Sequence, residues 1–65
     1  MTKPAIKQFL LDQAHQAWKY SNDKSYSEIR RKDWYSKMNA YLTVLVECFG
    51  MDYTFTVEDK LIIYS

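Results

Sequence analysis

The only glycine of the chain, Gly50, separates two different patterns of apolar residues. Before it, apolar residues recur at steps of three and four, which is typical of amphipathic helices. After it, apolar and polar residues alternate, which is typical of a half-buried strand. With one glycine and one proline in 65 residues, the chain also has few points at which regular structure is interrupted. We therefore predict an α+β fold that is helical before Gly50 and β after it.

The first predicted helix covers about residues 3–20. Thr2 can cap its start, and Pro4 is tolerated in the first turn because an N–H there has no helical partner. The residues that form its apolar stripe are Ile6, Phe9, Leu10, Gln13, Ala14, Ala17 and Trp18. Leu11 lies outside this stripe. We expect the stripe to face the second helix.

The second predicted helix covers about residues 26–49. Ser25 and Glu28 have the spacing of a capping box at its start, and Gly50 is placed to end it, with Met51 packing back as in a Schellman motif. One apolar arc, nearly half of the circumference, holds Trp34, Tyr35, Met38, Tyr41, Leu42, Leu45, Val46, Cys48 and Phe49. An arc this wide covers more than one neighbour. We expect it to meet the first helix and either the β-structure or a second subunit.

The C-terminal segment, about residues 52–64, is predicted to be a β-hairpin. Its strands are expected at 53–57 and 61–64, joined by a turn at 58–60. The register stays open, because no glycine or asparagine marks the turn type. The predicted fold is thus a two-helix hairpin followed by a two-stranded antiparallel β-hairpin, in one domain over residues 1–65.

Catalysis and metal binding find little support in this sequence. The chain has one histidine, His15, and one cysteine, Cys48, which cannot form a disulfide within the chain or complete a tetrahedral zinc site. His15 falls on the outward side of the first helix, so we expect a solvated side chain. Cys48 falls in the last turn of a helix, where the dipole disfavours a thiolate, so we expect a core residue. We predict no enzymatic activity and no cofactor.

The start of the second helix offers the best candidates for a contact surface. Arg31 lies in the middle of the apolar arc, so its cation must extend past the core, pair with a carboxylate or meet a partner. Arginine, tryptophan and tyrosine are the residues most enriched at binding hot spots. The candidates are Arg30, Arg31, Trp34, Tyr35 and Met38. The alternative is that Trp34 and Met38 are ordinary core residues.

Nucleic-acid binding is the second possibility for this region. The basic cluster of Arg30, Arg31 and Lys32 is followed by aromatic residues, and this combination can hold a phosphate backbone and stack on bases. Glu28 and Asp33 interrupt the cluster, and the net charge of the whole chain is only +1. We therefore favour the alternative that this pattern is a solvated helix end.

The predicted last strand is a second candidate surface. Its apolar side chains would lie on both faces, and an isolated hairpin leaves two open edges. We expect Ile62 and Tyr64 to contact a partner, either a second copy of the chain or another protein that adds a strand. The alternative is that Ile62 or Ile63 packs on a helix while the other is incidentally exposed.

The leading hypothesis is a small non-enzymatic protein-binding module, such as a regulator, inhibitor or adaptor, of a kind also encoded by phages and mobile elements. We expect a homodimer, because one core of this size seldom supplies more than roughly 3–5 kcal/mol of stability. We also expect a cytoplasmic location without membrane contact, because a lone cysteine suits a reducing compartment and no apolar segment follows Met1. The identity of the partner does not follow from the sequence.

Overall fold

The computed structural model describes residues 2–65 and consists of two helices followed by a β-hairpin. Helix α1 spans Lys3–Ser21 and α2 spans Glu28–Phe49, while strands β1 and β2 span Asp52–Phe55 and Leu61–Tyr64. The Cα atoms occupy 35 × 27 × 15 Å, so the molecule is flat. The predicted α+β order of two helices and an antiparallel hairpin is confirmed; Met1, the first residue of the predicted domain, lies outside the described residues.

The start of α1 follows its sequence signals. The Thr2 hydroxyl accepts a hydrogen bond from the Ala5 N–H at 3.4 Å, and Pro4 lies within the first turn. At the other end, Asn22 closes the helix by donating its backbone N–H and its side-chain amide to the Trp18 carbonyl, at 3.2 and 3.0 Å. A terminal carbonyl is thereby satisfied, and the chain turns toward α2.

The predicted capping box at the start of α2 is wrong by two residues. The N-cap is Ser27, whose hydroxyl accepts from the Arg30 N–H at 3.3 Å. Ser25 is instead held by the preceding turn, because its hydroxyl and its N–H both donate to the Asp23 carboxylate, at 2.7 and 2.9 Å. These two donors lower the pKa of Asp23. Ser25 therefore bonds to Asp23 in the turn and does not cap α2, the role that the sequence pattern predicted for it.

Helix α2 ends at Gly50, as predicted. Gly50 has φ +66°, in the left-handed region, and the Met51 N–H donates to the Leu45 carbonyl at 3.1 Å. A Cβ atom built on Gly50 would meet nothing within 4 Å. Glycine is therefore favoured here by backbone conformation alone and not by a close approach.

The β-hairpin has a register in which Phe55 lies opposite Leu61 and Tyr53 opposite Ile63. These four side chains share one face, because directly opposite residues of an antiparallel pair point the same way. Leu61 and Ile63 pack on the hydrophobic core, so this is the inner face. Ile62 belongs to the outer face.

The hairpin turn is longer than predicted, and β1 ends two residues earlier, at Phe55. Thr56 belongs to the turn, where its N–H donates to the Lys60 carbonyl and its hydroxyl accepts from the Lys60 N–H, at 2.9 and 3.1 Å. Asp59 has φ +61°, which is unusual for a residue other than glycine. Asp59 thus supplies the left-handed residue for which the sequence offered no glycine or asparagine.

The core is small and lies between the helix pair and the inner face of the hairpin. Its buried residues are Ala14, Ala17, Met38, Leu42, Leu45, Met51 and Leu61. The apolar stripe predicted for α1 is only partly correct, because Ile6 and Phe9 are exposed whereas Leu11 packs on the core. Cys48 is exposed, so the expectation of a core cysteine is wrong. The apolar arcs of both helices are wider than the surface that their neighbours cover.

Candidate protein-binding surface

Four aromatic side chains from three elements form a continuous series, which we call the aromatic row. The ring of Trp18 in α1 lies 6.4 Å from Tyr35 in α2 and 4.9 Å from Phe55 in β1, between ring centroids. Phe55 in turn lies 6.0 Å from Tyr53. These are the distances at which tilted aromatic pairs attract each other. The row therefore links the helix pair to the hairpin.

Three of the four rings in the aromatic row are well exposed. Tyr35 keeps 46% of its surface accessible, Phe55 38% and Tyr53 36%. Trp18 is half-buried, and its indole N–H donates to the Asp59 carbonyl at 3.1 Å. This hydrogen bond attaches the hairpin turn to α1. It therefore helps to fix the position of the hairpin rings relative to the helices.

A cleft of about 470 Å³ adjoins the aromatic row at Tyr35, and we call it the Arg31 cleft. Its lining residues are Ser21, Glu28, Arg31, Lys32, Tyr35 and Ser36. The Nε–H group of Arg31 is shielded from solvent and has no acceptor among residues 2–65. Glu28 is already engaged, since it lies 3.8 Å from Lys32. The charge of Arg31 therefore has no carboxylate partner within the described chain.

A second cleft, of about 260 Å³, is lined by Tyr26, Arg30, Asp33, Trp34 and Lys37, and we call it the Trp34 cleft. The Trp34 ring lies 4.8 Å from the Tyr20 ring and 4.5 Å from the Lys37 ammonium. The Arg30 guanidinium lies 5.8 Å from the Tyr26 ring. Both cations thus lie over aromatic faces, a geometry that favours them electrostatically.

The contact candidates predicted on α2 do not form one surface. Arg31 and Tyr35 line one cleft, whereas Arg30 and Trp34 line the other. Met38 is fully buried at 0% exposure, so it belongs to the core and is not available to a partner. Successive helical residues point about 100° apart, and a run of candidates must therefore divide between two sides of the helix.

The outer face of the hairpin carries the two residues predicted for β2. Ile62 is 45% and Tyr64 47% exposed, and they are two residues apart on the same strand face. Leu61 is buried, and on β1 the Tyr53 N–H donates to the Asp52 carboxylate at 2.8 Å. The outer face thus presents two exposed side chains, Ile62 and Tyr64.

Groups that could support catalysis or metal binding are scattered over the molecule. His15 is exposed, with Nδ1 2.9 Å from the Leu11 carbonyl oxygen, and Cys48 is exposed on α2. Within residues 2–65, no three histidine, cysteine, aspartate or glutamate side chains are grouped closely enough to hold a metal ion. Among the helices of residues 2–65, neither combines the length and the apolar character needed to cross a membrane.

Comparisons of the chain with protein-family models, with curated proteins and with solved structures gave no match.

Sequence reasoning missed three members of the aromatic row, namely Trp18, Tyr53 and Phe55. Trp18 lies on the predicted helical stripe, and Tyr53 and Phe55 are apolar positions of a strand predicted to be half-buried, so none was proposed as a contact residue. Their pattern predicts the correct face but not how much of that face is covered. An aromatic content of 17%, high for a core this small, was the available signal.

Proposed function

We propose that this chain is a non-enzymatic protein-binding module whose contact surface is the aromatic row together with the Arg31 cleft. The observation that carries the proposal is the exposure of Tyr35, Tyr53 and Phe55 in one continuous series of rings. Isolated exposed apolar residues are normal on a protein surface, but a contiguous group marks an interaction site.

The chemistry of this surface suits a polypeptide partner. Tyrosine and tryptophan offer large contact areas at low entropic cost, and arginine adds charge-assisted hydrogen bonds. The row crosses α1, α2 and β1, so it presents a broad surface and not a single enclosed pocket. Trp18 is already held by Asp59 and needs little reordering on binding. A regulator, inhibitor or adaptor would act by such contact alone.

The test compares two exposed positions of α2. We would immobilise the full chain, expose it to extract from cells that naturally express it, and identify captured proteins by mass spectrometry. The Tyr35→Ser variant removes a ring of the row, and Ile29→Ser removes a side chain that is 79% exposed and lies outside it. The proposal requires a partner that wild type and Ile29→Ser retain and Tyr35→Ser loses. Equal capture by both variants would contradict it.

Nucleic-acid binding is the second candidate, and the Trp34 cleft is the observation that favours it. Arg30 and Lys37 flank aromatic rings there, an arrangement that suits a phosphate backbone with stacked bases. The test is a fluorescence titration with single-stranded DNA at low salt, using wild type and Arg30→Ala/Lys37→Ala, which removes both cations of the Trp34 cleft and should weaken binding. Absence of binding at low salt would remove this candidate, since backbone contacts are strongest there.

We also propose that the module is a homodimer that associates through the outer face of the hairpin, where Ile62 and Tyr64 are exposed. Burying them would add apolar contact that a small core lacks. A cytoplasmic location remains part of the proposal, because the exposed thiol of Cys48 would persist best in a reducing compartment.

A further inference from the structure

We infer that the partner presents a carboxylate to the Arg31 cleft, on a segment whose neighbouring apolar side chain packs against Tyr35. This inference rests on the proposed function and specifies the chemistry of the partner. It starts from Arg31, the cation of the cleft that has no carboxylate within the described chain.

Arg31 is held in place without an ion pair. Its Nε–H is shielded from solvent and lacks an acceptor among residues 2–65, yet the residue keeps part of its surface open to the cleft. The part of Arg31 that stays open to the cleft has no ion-pair partner among residues 2–65, so a carboxylate of a ligand can approach the guanidinium there. The planar guanidinium donates in a fork that matches a carboxylate in two places.

The remaining lining of the cleft also favours a single negative charge. Lys32 and Glu28 lie 3.8 Å apart and largely neutralise each other, which leaves one unpaired cation. A carboxylate carries one charge and matches it. A phosphate monoester carries nearly two and would bring the excess toward Glu28. Tyr35 and Ser36, which also line the cleft, carry hydroxyl groups and no charge.

The spacing on α2 defines the shape of the partner segment. Arg31 and Tyr35 are four residues apart on the helix, so their side chains emerge about 5–6 Å from each other. In an extended peptide, side chains two residues apart lie on one face and are separated by roughly 6–7 Å. An acidic residue followed two positions later by an apolar one therefore spans from Arg31 to the aromatic row.

The experiment is a ¹H–¹⁵N NMR titration of the full chain with two peptides, acetyl-Glu-Ser-Leu-Ser-Leu-amide and its twin with glutamine in place of glutamate. The two differ only in the charge of one side chain. We expect the Glu peptide to shift the Arg31 Nε–H signal and the amide signals of Tyr35 and Ser36. The Gln peptide should bind roughly tenfold more weakly, because it loses a charge-assisted hydrogen bond.

Two arginine variants test whether the carboxylate binds in the Arg31 cleft, and inorganic phosphate tests whether the cleft prefers a carboxylate. Arg31→Gln removes the cation and should abolish the preference for the Glu peptide, whereas Arg30→Gln, the same change in the other cleft, should keep it. Inorganic phosphate should shift the Arg31 signal less than the Glu peptide does at equal concentration. The inference is overturned if neither peptide shifts Arg31, if both bind equally, if Arg30→Gln acts like Arg31→Gln, or if phosphate is the stronger ligand.

These outcomes are separable from failure of the proposed function. Equal binding of both peptides, with shifts along the aromatic row, would leave the row as a contact surface and remove only the carboxylate. If Tyr35→Ser captured the partner as well as wild type does, the proposed contact surface itself would be rejected.

Discussion

The indole N–H of Trp18 donates to the backbone carbonyl of Asp59 at 3.1 Å, across 41 residues of sequence. This hydrogen bond joins α1 to the hairpin turn, and the contact between Trp18 and Phe55 reinforces it. The placement of the aromatic row depends on this connection, because it holds the hairpin against the helices.

Replacing Trp18 by phenylalanine keeps a ring but removes the hydrogen bond to Asp59. We expect the free energy of unfolding to fall by about 1 kcal/mol, since the hydrogen bond to the Asp59 carbonyl and some buried ring area are lost. Urea denaturation followed by circular dichroism measures the change. Asp59→Gly is the matched control: it keeps the carbonyl and favours the left-handed backbone, so it should not destabilise. Equal loss in both variants would contradict this account.

The cap of α2 gives a second prediction. Ser27→Ala removes the acceptor of the Arg30 N–H and should lower the free energy of unfolding by about 1 kcal/mol. Ser25→Ala should cost less, because it removes a hydrogen bond within an exposed turn. The same denaturation experiment compares them. If Ser25→Ala proved the more damaging change, the capping box predicted from the sequence would be correct after all.

The titration of Asp23 gives a third prediction. The Ser25 hydroxyl and amide lower the pKa of Asp23 in the folded chain relative to its unfolded value. The resulting stabilisation is therefore present above the unfolded pKa and is lost as the pH falls through the folded pKa. NMR titration of the carboxyl carbon should show the pKa of Asp23 rising toward its ordinary value in Ser25→Ala. An unchanged pKa would contradict the assigned donors.

Burial of Met38 and exposure of Tyr35 give a fourth prediction. Met38→Ala should cost about 2–5 kcal/mol, which is comparable to the whole stability of a domain this small, and should leave much of the chain unfolded. Tyr35→Ala should cost about 0.5–1.5 kcal/mol, chiefly through its contact with Trp18. Thermal unfolding distinguishes them. A mild effect of Met38→Ala would show that this side chain is not in the core.

The oligomeric state gives a fifth prediction. At tens of micromolar, size-exclusion chromatography with light scattering should give twice the mass of a single chain. Ile62→Lys should convert the protein to a monomer, whereas Val57→Lys should not, because Val57 is fully exposed in the hairpin turn and not on the outer strand face. A strict monomer for wild type would reject the dimer, and a dimer unaffected by Ile62→Lys would reject this interface.

Much of the architecture was predictable, because local signals and periodicity agreed. Thr2 and Pro4 mark the start of α1, Gly50 marks the end of α2, and the change of period after Gly50 identifies the hairpin. The errors arose where two local structures competed. Ser25 donates to Asp23 in the turn and does not cap α2. Asp59 adopts the left-handed backbone conformation in which glycine is the usual residue.

The candidate site was less predictable, because periodicity gives the direction of a side chain but not the extent of its neighbour. Phe9 and Cys48 lie on predicted apolar arcs and are nevertheless exposed, whereas Leu11 lies outside its stripe and packs on the core. Arg31, which the sequence places on an apolar arc, is partly buried. The structure shows that Arg31 and Tyr35 share one cleft, whereas Arg30 and Trp34 line another, and the sequence analysis did not make this division.

The central claim is that a partner protein covers the aromatic row. Hydroxyl-radical footprinting read by mass spectrometry measures this directly, on the chain alone and in complex with the partner captured by wild type. We expect Tyr35, Tyr53 and Phe55 to be oxidised in the free chain and protected in the complex, while Ile29 is oxidised equally in both. Continued oxidation of the three rings in the complex, with protection of Ile29 or of the Trp34 cleft instead, would contradict the account.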